Sequence, residues 1–107
     1  MNALQELYDT ILTRKQTKTE GSYTCYLFEQ GIDKILKKCA EESGEVIIAA
    51  KNGDKDEVVL EISDLLYHLT VLMVNEGIEL GKIEAELQKR SEKQGNLKNF
   101  HKVDKNS

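Results

Sequence analysis

Along this chain apolar residues recur three and four positions apart in successive stretches, and that spacing predicts helices. Leu4, Leu7, Tyr8, Ile11 and Leu12 fall on one helix face, with Asn2 placed to cap it. "RKQTKTEGS" (14–22) has no such periodicity and reads as a loop, after which "YTCYLFEQG" predicts a short helix stopped at Gly31. A long helix is expected from a cap at Asp33 to about Asn52, with Ile32, Ile35, Leu36, Cys39, Val46, Ile47 and Ala50 as its core stripe. Gly53 then suits a left-handed C-terminal position, and Asp54 with Glu57 resembles a capping box. Two long helices should therefore meet in a tight antiparallel hairpin.

The next helix, roughly Lys55 to Glu76, carries Val58, Val59, Leu60, Ile62, Leu65, Leu66, Leu69, Leu72 and Met73 over most of its circumference. Such a helix needs cover on several sides, so a second copy of the chain is expected to complete a dimeric bundle. Gly77 ends it. A final amphipathic helix follows, with Ile78, Ile83 and Leu87 as its contacts, and from Gln94 onward little remains to bury. The expected organisation is one domain over residues 1–92 with a polar, flexible tail over 93–107. A chain of 107 residues cannot be divided further, and the absence of proline and tryptophan with 6% aromatics favours an all-α fold.

A formal net charge of −4 speaks against a general nucleic-acid binder, and an anionic ligand would need a cationic mediator. The N-terminus mixes Glu6 and Asp9 into its apolar residues and does not resemble a signal peptide; Glu61, Asp64 and His68 break the longest apolar stretch, so no membrane span is expected. A cytoplasmic location follows. Cys25 and Cys39 are read as small core residues without chemistry.

The acids carry the chemical signal. At about 100° per residue, Glu41, Glu42 and Glu45 share one side of their helix with Lys34 and Lys38, while Glu57, Glu61, Asp64 and His68 form the polar strip of the next. Residues equidistant from Gly53 stand at one height in an antiparallel pair: Glu45 with Glu61, Glu42 with Asp64, Lys38 with His68. Four carboxylates so placed would repel or take up protons unless a cation joined them, and their oxygens suit Mg²⁺ or Mn²⁺. A solvated acidic face is the competing account. A di-iron bundle is set aside, because Leu65 occupies the acid position of Glu-x-x-His before His68. His68 is open to three roles: ligand, proton carrier or satisfied groove residue. Lys34 and Lys38 are either phosphate partners or ordinary surface lysines. Gly44, costly inside a helix, is expected to make room for a close neighbour.

Glu42-x-x-Glu45 followed by Glu61-x-x-Asp64 resembles the paired motif of the all-α nucleotide pyrophosphohydrolases, which include the MazG-type enzymes and dimeric dUTP hydrolases. Within that group, "SYT..LF..G.DKI.KK..EE..EV..AAK" and "E.SDLLYHL.VLM" are similar to the phosphoribosyl-ATP pyrophosphatase family of histidine biosynthesis, over about Leu4 to Ser91. The resemblance implies Mg²⁺-dependent hydrolysis of the α,β-phosphoanhydride of phosphoribosyl-ATP by a homodimer. It implies Glu42, Glu45, Glu61 and Asp64 as metal ligands, Glu41 as a supporting or water-orienting group, and Lys34, Lys37 and Lys38 as a basic run toward phosphate. Lys37 points away from the acidic face. Cys39-Ala40 stands where relatives often carry an aliphatic residue and a glycine. Two alternatives remain: a relative acting on another nucleoside triphosphate or dUTP, and a non-catalytic helical dimerisation module.

Overall fold

The computed structural model describes residues 2–97, and these form an all-α fold of five helices: α1 (Ala3–Gln16), α2 (Tyr23–Gln30), α3 (Ile32–Lys51), α4 (Lys55–Asn75) and α5 (Leu80–Leu97). Asn2 caps α1, its side chain accepting from the Leu4 amide at 2.8 Å. The helix runs on to Gln16, into the stretch expected to be loop, because Arg14 and Lys15 need no buried face to be helical and their charge complements the C-terminal dipole. Ser22 caps α2 on the Cys25 amide. Gly31 closes α2 and opens α3 with a φ of 91°, a conformation that an L side chain resists. The α3 cap is thus Gly31, not Asp33, which sits in the first turn where its charge favours the helix N-terminus.

Gly53 takes the left-handed position after α3, with a φ of 72°, and Asp54 caps α4 by accepting from the Glu57 amide at 3.1 Å. Across this short connection α3 and α4 make the most extensive helix contact of the described residues, and α1 and α2 brace them. The core gathers Tyr8 and Ile11 from α1, Leu27 from α2, Ile35 and Cys39 from α3, Val71 and Val74 from α4, and Leu80 at the start of α5. Tyr8 also donates to the Ile78 carbonyl at 2.8 Å, tying α1 to the turn before α5.

Further expectations change. The buried stripe of α3 is Ile35, Cys39, Glu42 and Ala49, with Val46 half-buried; Ile32, Leu36, Ile47 and Ala50 are exposed. The packed face is rotated so that a carboxylate, not an isoleucine, meets α4. Leu80 is the buried residue of the final helix, whereas Ile78, Ile83 and Leu87 are exposed, and α5 continues to Leu97. Of the expected flexible tail, residues 98–107 lie outside the described residues. Gly44 has nothing within 4 Å of the point where a Cβ would stand, so no neighbour among the described residues explains it.

Apolar side chains left open on α3 (Leu36, Ile47, Ile48) and α4 (Val59, Leu60, Ile62, Leu66) form the other conspicuous feature, with Ile47 67% exposed. Ile35→Ala, which empties a fully buried site, should cost about 2–5 kcal/mol, while Asp54→Ala, which removes one cap, should cost about 1 kcal/mol. Chemical denaturation of both variants checks this order; equal losses would mean that the core is centred elsewhere.

Candidate metal centre

Where α3 packs on α4, Glu42 and Glu45 project from one turn of α3 and Glu61 from α4, and a carboxylate oxygen from each lies within 4.8 Å of the others. Glu42 is 7% exposed because it occupies the packed face, one helical turn after Cys39. Glu45 lies toward solvent, and Glu61 is intermediate. The pairing of Glu45 with Glu61 matches their equal distance from Gly53. Asp64 stands outside this trio, yet its charge acts on both Glu42 and Glu61.

Crowding of like charges shows in the protonation of the site. Burial, with the neighbouring Glu45 carboxyl, pushes Glu42 above the ordinary carboxylate range, against the opposing influence of His68. Glu61 is pushed up to about 7, first by a hydrogen bond with the Glu57 carboxyl, then by burial and by the charges of Glu45, Glu57 and Asp64. Glu57 is therefore part of the cluster. It stands one turn before Glu61 on the acidic strip of α4, where the i,i+4 spacing already makes the two carboxyls neighbours.

Two oxygens, Oε2 of Glu42 and Oε2 of Glu61, are buried without any hydrogen-bond partner. An orphaned carboxylate oxygen is costly unless a proton or a cation meets it. The donor set is all oxygen and anionic, so it fits a hard divalent ion such as Mg²⁺ or Mn²⁺ and not a soft one.

Lys38 reaches Glu41 at 3.3 Å and Glu42 at 3.8 Å, which places its ammonium at the edge of the acidic cluster. Lys34 is set back, its ammonium 5.9 Å from the centre of the Tyr26 ring, and Lys37 is exposed. His68 is 5% exposed and held at both nitrogens. Its Nδ1 lies 2.8 Å from the Asp64 carbonyl, an acceptor only, so Nδ1 carries the proton. Its Nε2 lies 3.2 Å from the Tyr23 hydroxyl. Of its three candidate roles, the satisfied groove residue describes this geometry. Tyr67 packs edge-on against His68 at 4.9 Å between centroids and hydrogen-bonds Thr24. The Tyr23 link spans 45 residues, and no periodicity could have announced it.

The phosphoribosyl-ATP pyrophosphohydrolase family model matches residues 4–91. The chain is 57% identical over 102 residues to a phosphoribosyl-ATP pyrophosphatase of Clostridium botulinum, covering 95% of this chain and 93% of that protein. It is 50% identical over 101 residues to the phosphoribosyl-ATP pyrophosphatase of Streptococcus gordonii, covering 94% and 97% respectively. A histidine biosynthesis bifunctional protein HisIE of Thermoanaerobacter pseudethanolicus is 64% identical over 83 residues, which span 78% of this chain and 38% of that protein.

Because the folded state holds the Glu61 proton more tightly than the unfolded chain does, this group's contribution to stability is full below about pH 4.3 and is lost as the pH rises through about 7. Chelator-treated protein should thus melt at a lower temperature at pH 8 than at pH 5.5, and Glu61→Gln should flatten that slope. Adding Mn²⁺ at pH 8 should raise the wild-type melting temperature by mass action. A wild-type slope unchanged by the substitution would place the Glu61 carboxyl in ordinary solvent.

Proposed function

This chain belongs to the phosphoribosyl-ATP pyrophosphohydrolase family, and from that premise we propose that it hydrolyses phosphoribosyl-ATP to phosphoribosyl-AMP and pyrophosphate in histidine biosynthesis, using Mg²⁺ held by its α3–α4 acids. The observation that carries the reading is the pair of orphaned, buried oxygens on Glu42 and Glu61 within a trio of converging carboxylates. Glu42, Glu45 and Glu61 would hold the ion, with Asp64 completing the set beside them. When bound, Mg²⁺ (or Mn²⁺ in its place) supplies charge neutralisation at the phosphate oxygens and polarises water.

The chain's own groups do the remaining work. Lys38, anchored by Glu41 and Glu42, presents its ammonium where the oxygens of the leaving pyrophosphate gather charge. Glu41 orients the attacking water while holding Lys38. Lys34, one turn before Lys38 on the same helix, extends positive charge toward the outer phosphates, while Lys37, which points away from the acids, adds only to the general basic run. In the reaction a water oxygen bonds to phosphorus, the α,β-phosphoanhydride bond breaks, and pyrophosphate leaves. Positioning and charge balance suffice, as in other phosphoryl transfers. An acidic protein can in this way act on a polyanion.

The same reading includes a homodimer. Leu36, Ile47 and Ile48 on α3 and Val59, Leu60, Ile62 and Leu66 on α4 are the surface a second copy would cover. It also includes the cytoplasm, where a nucleotide intermediate and free thiols such as Cys25 and Cys39 belong together; no helix among the described residues is long and apolar enough to cross a membrane.

With Mg²⁺, purified protein should release pyrophosphate and not orthophosphate from phosphoribosyl-ATP, far faster than from ATP or dUTP. Equal turnover of all three would leave the family and overturn the substrate. Glu45→Gln should abolish most activity while leaving the metal-free protein as stable as wild type or more so, because one repelling charge is gone. Lys38→Met should slow turnover or weaken substrate binding with Mn²⁺ affinity roughly intact. For the dimer, Leu60→Glu should convert a species of twice the chain mass into monomers in sedimentation; a monomeric wild type would refute it.

A further inference from the structure

A cavity of about 480 Å³ opens between the α1–α2 connection and α2 itself, with Lys18, Glu20, Tyr23, Tyr26 and Glu29 among its lining. Nothing in the hydrolytic chemistry uses it. Yet Tyr23 belongs to both places: its ring lines the cavity, and its hydroxyl meets His68, which is anchored on Asp64. The Tyr23–His68 bond thus links the cavity to α4, the helix that carries Glu61, and Tyr23 also lies within electrostatic reach of Lys38 at the edge of the acids.

The lining offers three kinds of partner. Tyr23 and Tyr26 stack 6.0 Å apart between centroids, 25° from parallel, and stay 45% and 42% exposed, so part of this aromatic surface is open to a flat ring. Glu20 and Glu29 supply carboxylate oxygens of the kind that accept from a ribose diol. Lys18, held by Glu29 at 2.9 Å, supplies an ammonium at the rim. Ring, sugar and phosphate are the parts of a nucleotide-like substituent, and the volume lies in the range of small-molecule sites.

Resting on the hydrolase reading above, we propose that this cavity binds the phosphoribosyl-bearing purine end of the substrate, with Tyr23 and Tyr26 against the base, Glu20 on the added ribose and Lys18 on its phosphate. The cavity, and not the acids, then distinguishes phosphoribosyl-ATP from ATP. Cleavage is common to both molecules; the added arm is what only one of them can place there.

Two measurements test this on the full chain with Mg²⁺ present. In the first, Lys18→Met should raise KM for phosphoribosyl-ATP by about tenfold with kcat nearly unchanged, should leave KM for ATP alone, and Lys18→Arg should restore much of the loss. In the second, calorimetry should show the product phosphoribosyl-AMP binding wild type at least about tenfold more tightly than AMP, with the gap closing in Lys18→Met. The second needs no catalysis. If wild type binds phosphoribosyl-AMP in preference to AMP through Lys18 but does not cleave phosphoribosyl-ATP, the cavity assignment stands and the hydrolase reading fails. If wild type cleaves phosphoribosyl-ATP while Lys18→Met is indistinguishable from it in both KM and product affinity, the cavity assignment is overturned and the hydrolase reading survives. Lys18 is exposed and paired at the surface, so the variant's fold, checked by its melting temperature, should match wild type.

Discussion

Everything distinctive in this fold turns on a carboxylate placed where an aliphatic side chain would ordinarily go. Glu42 sits on the face by which α3 packs against α4, and with Glu45 and Glu61 it brings negative charge into the most extensive contact of the described residues. Burying one charge is unfavourable, and placing a second and third beside it adds repulsion. Protonation offers partial relief, as the raised affinities of Glu42 and Glu61 indicate. A divalent ion held by these carboxylates would offer more, because its charge would answer both the repulsion and the orphaned oxygens.

Such a site requires a rigid frame, since like charges would otherwise move apart. Ile35 and Cys39 of α3 and Val71 and Val74 of α4 are buried in the same core cluster, to which α1 and α2 contribute Tyr8, Ile11 and Leu27. The apolar contacts oppose the electrostatic push. His68 adds a polar brace, joined to the backbone of its own helix and to Tyr23 of α2. Through that bond the short helix α2, with its neighbouring cavity, is held in register with the acids. The cavity and the acids are in this way connected through the Tyr23–His68 bond.

The displacement of Leu36 and Ile47 to the outside, beside the exposed Ile48, has the same origin. A helix turned so that Glu42 faces inward must turn part of its aliphatic stripe outward, and α4, apolar over much of its circumference, does likewise with Val59, Leu60, Ile62 and Leu66. The open apolar surface is thus a consequence of where the acids point.

The sequence by itself determined the helices and their order, because apolar spacing, the caps at Asn2 and Asp54 and the left-handed glycines at 31 and 53 are local properties of a few neighbouring residues. It also determined the acidic strips and the height at which Glu45 meets Glu61, since a short turn between two helices leaves little freedom in register. Helix rotation was not local. Ile47 and Glu42 each lie on a plausible inward face, and only packing against α4, α1 and α2 selected the carboxylate for burial. The orphaned oxygens, the reach of Lys38 to Glu42 and the bond from Tyr23 to His68 depend on rotamers and on contacts that are distant along the chain or set by side-chain packing. Periodicity places a side chain on a face; which atom it then meets is decided by the tertiary structure, because distances of a few ångströms between side chains are set by every helix packed around them.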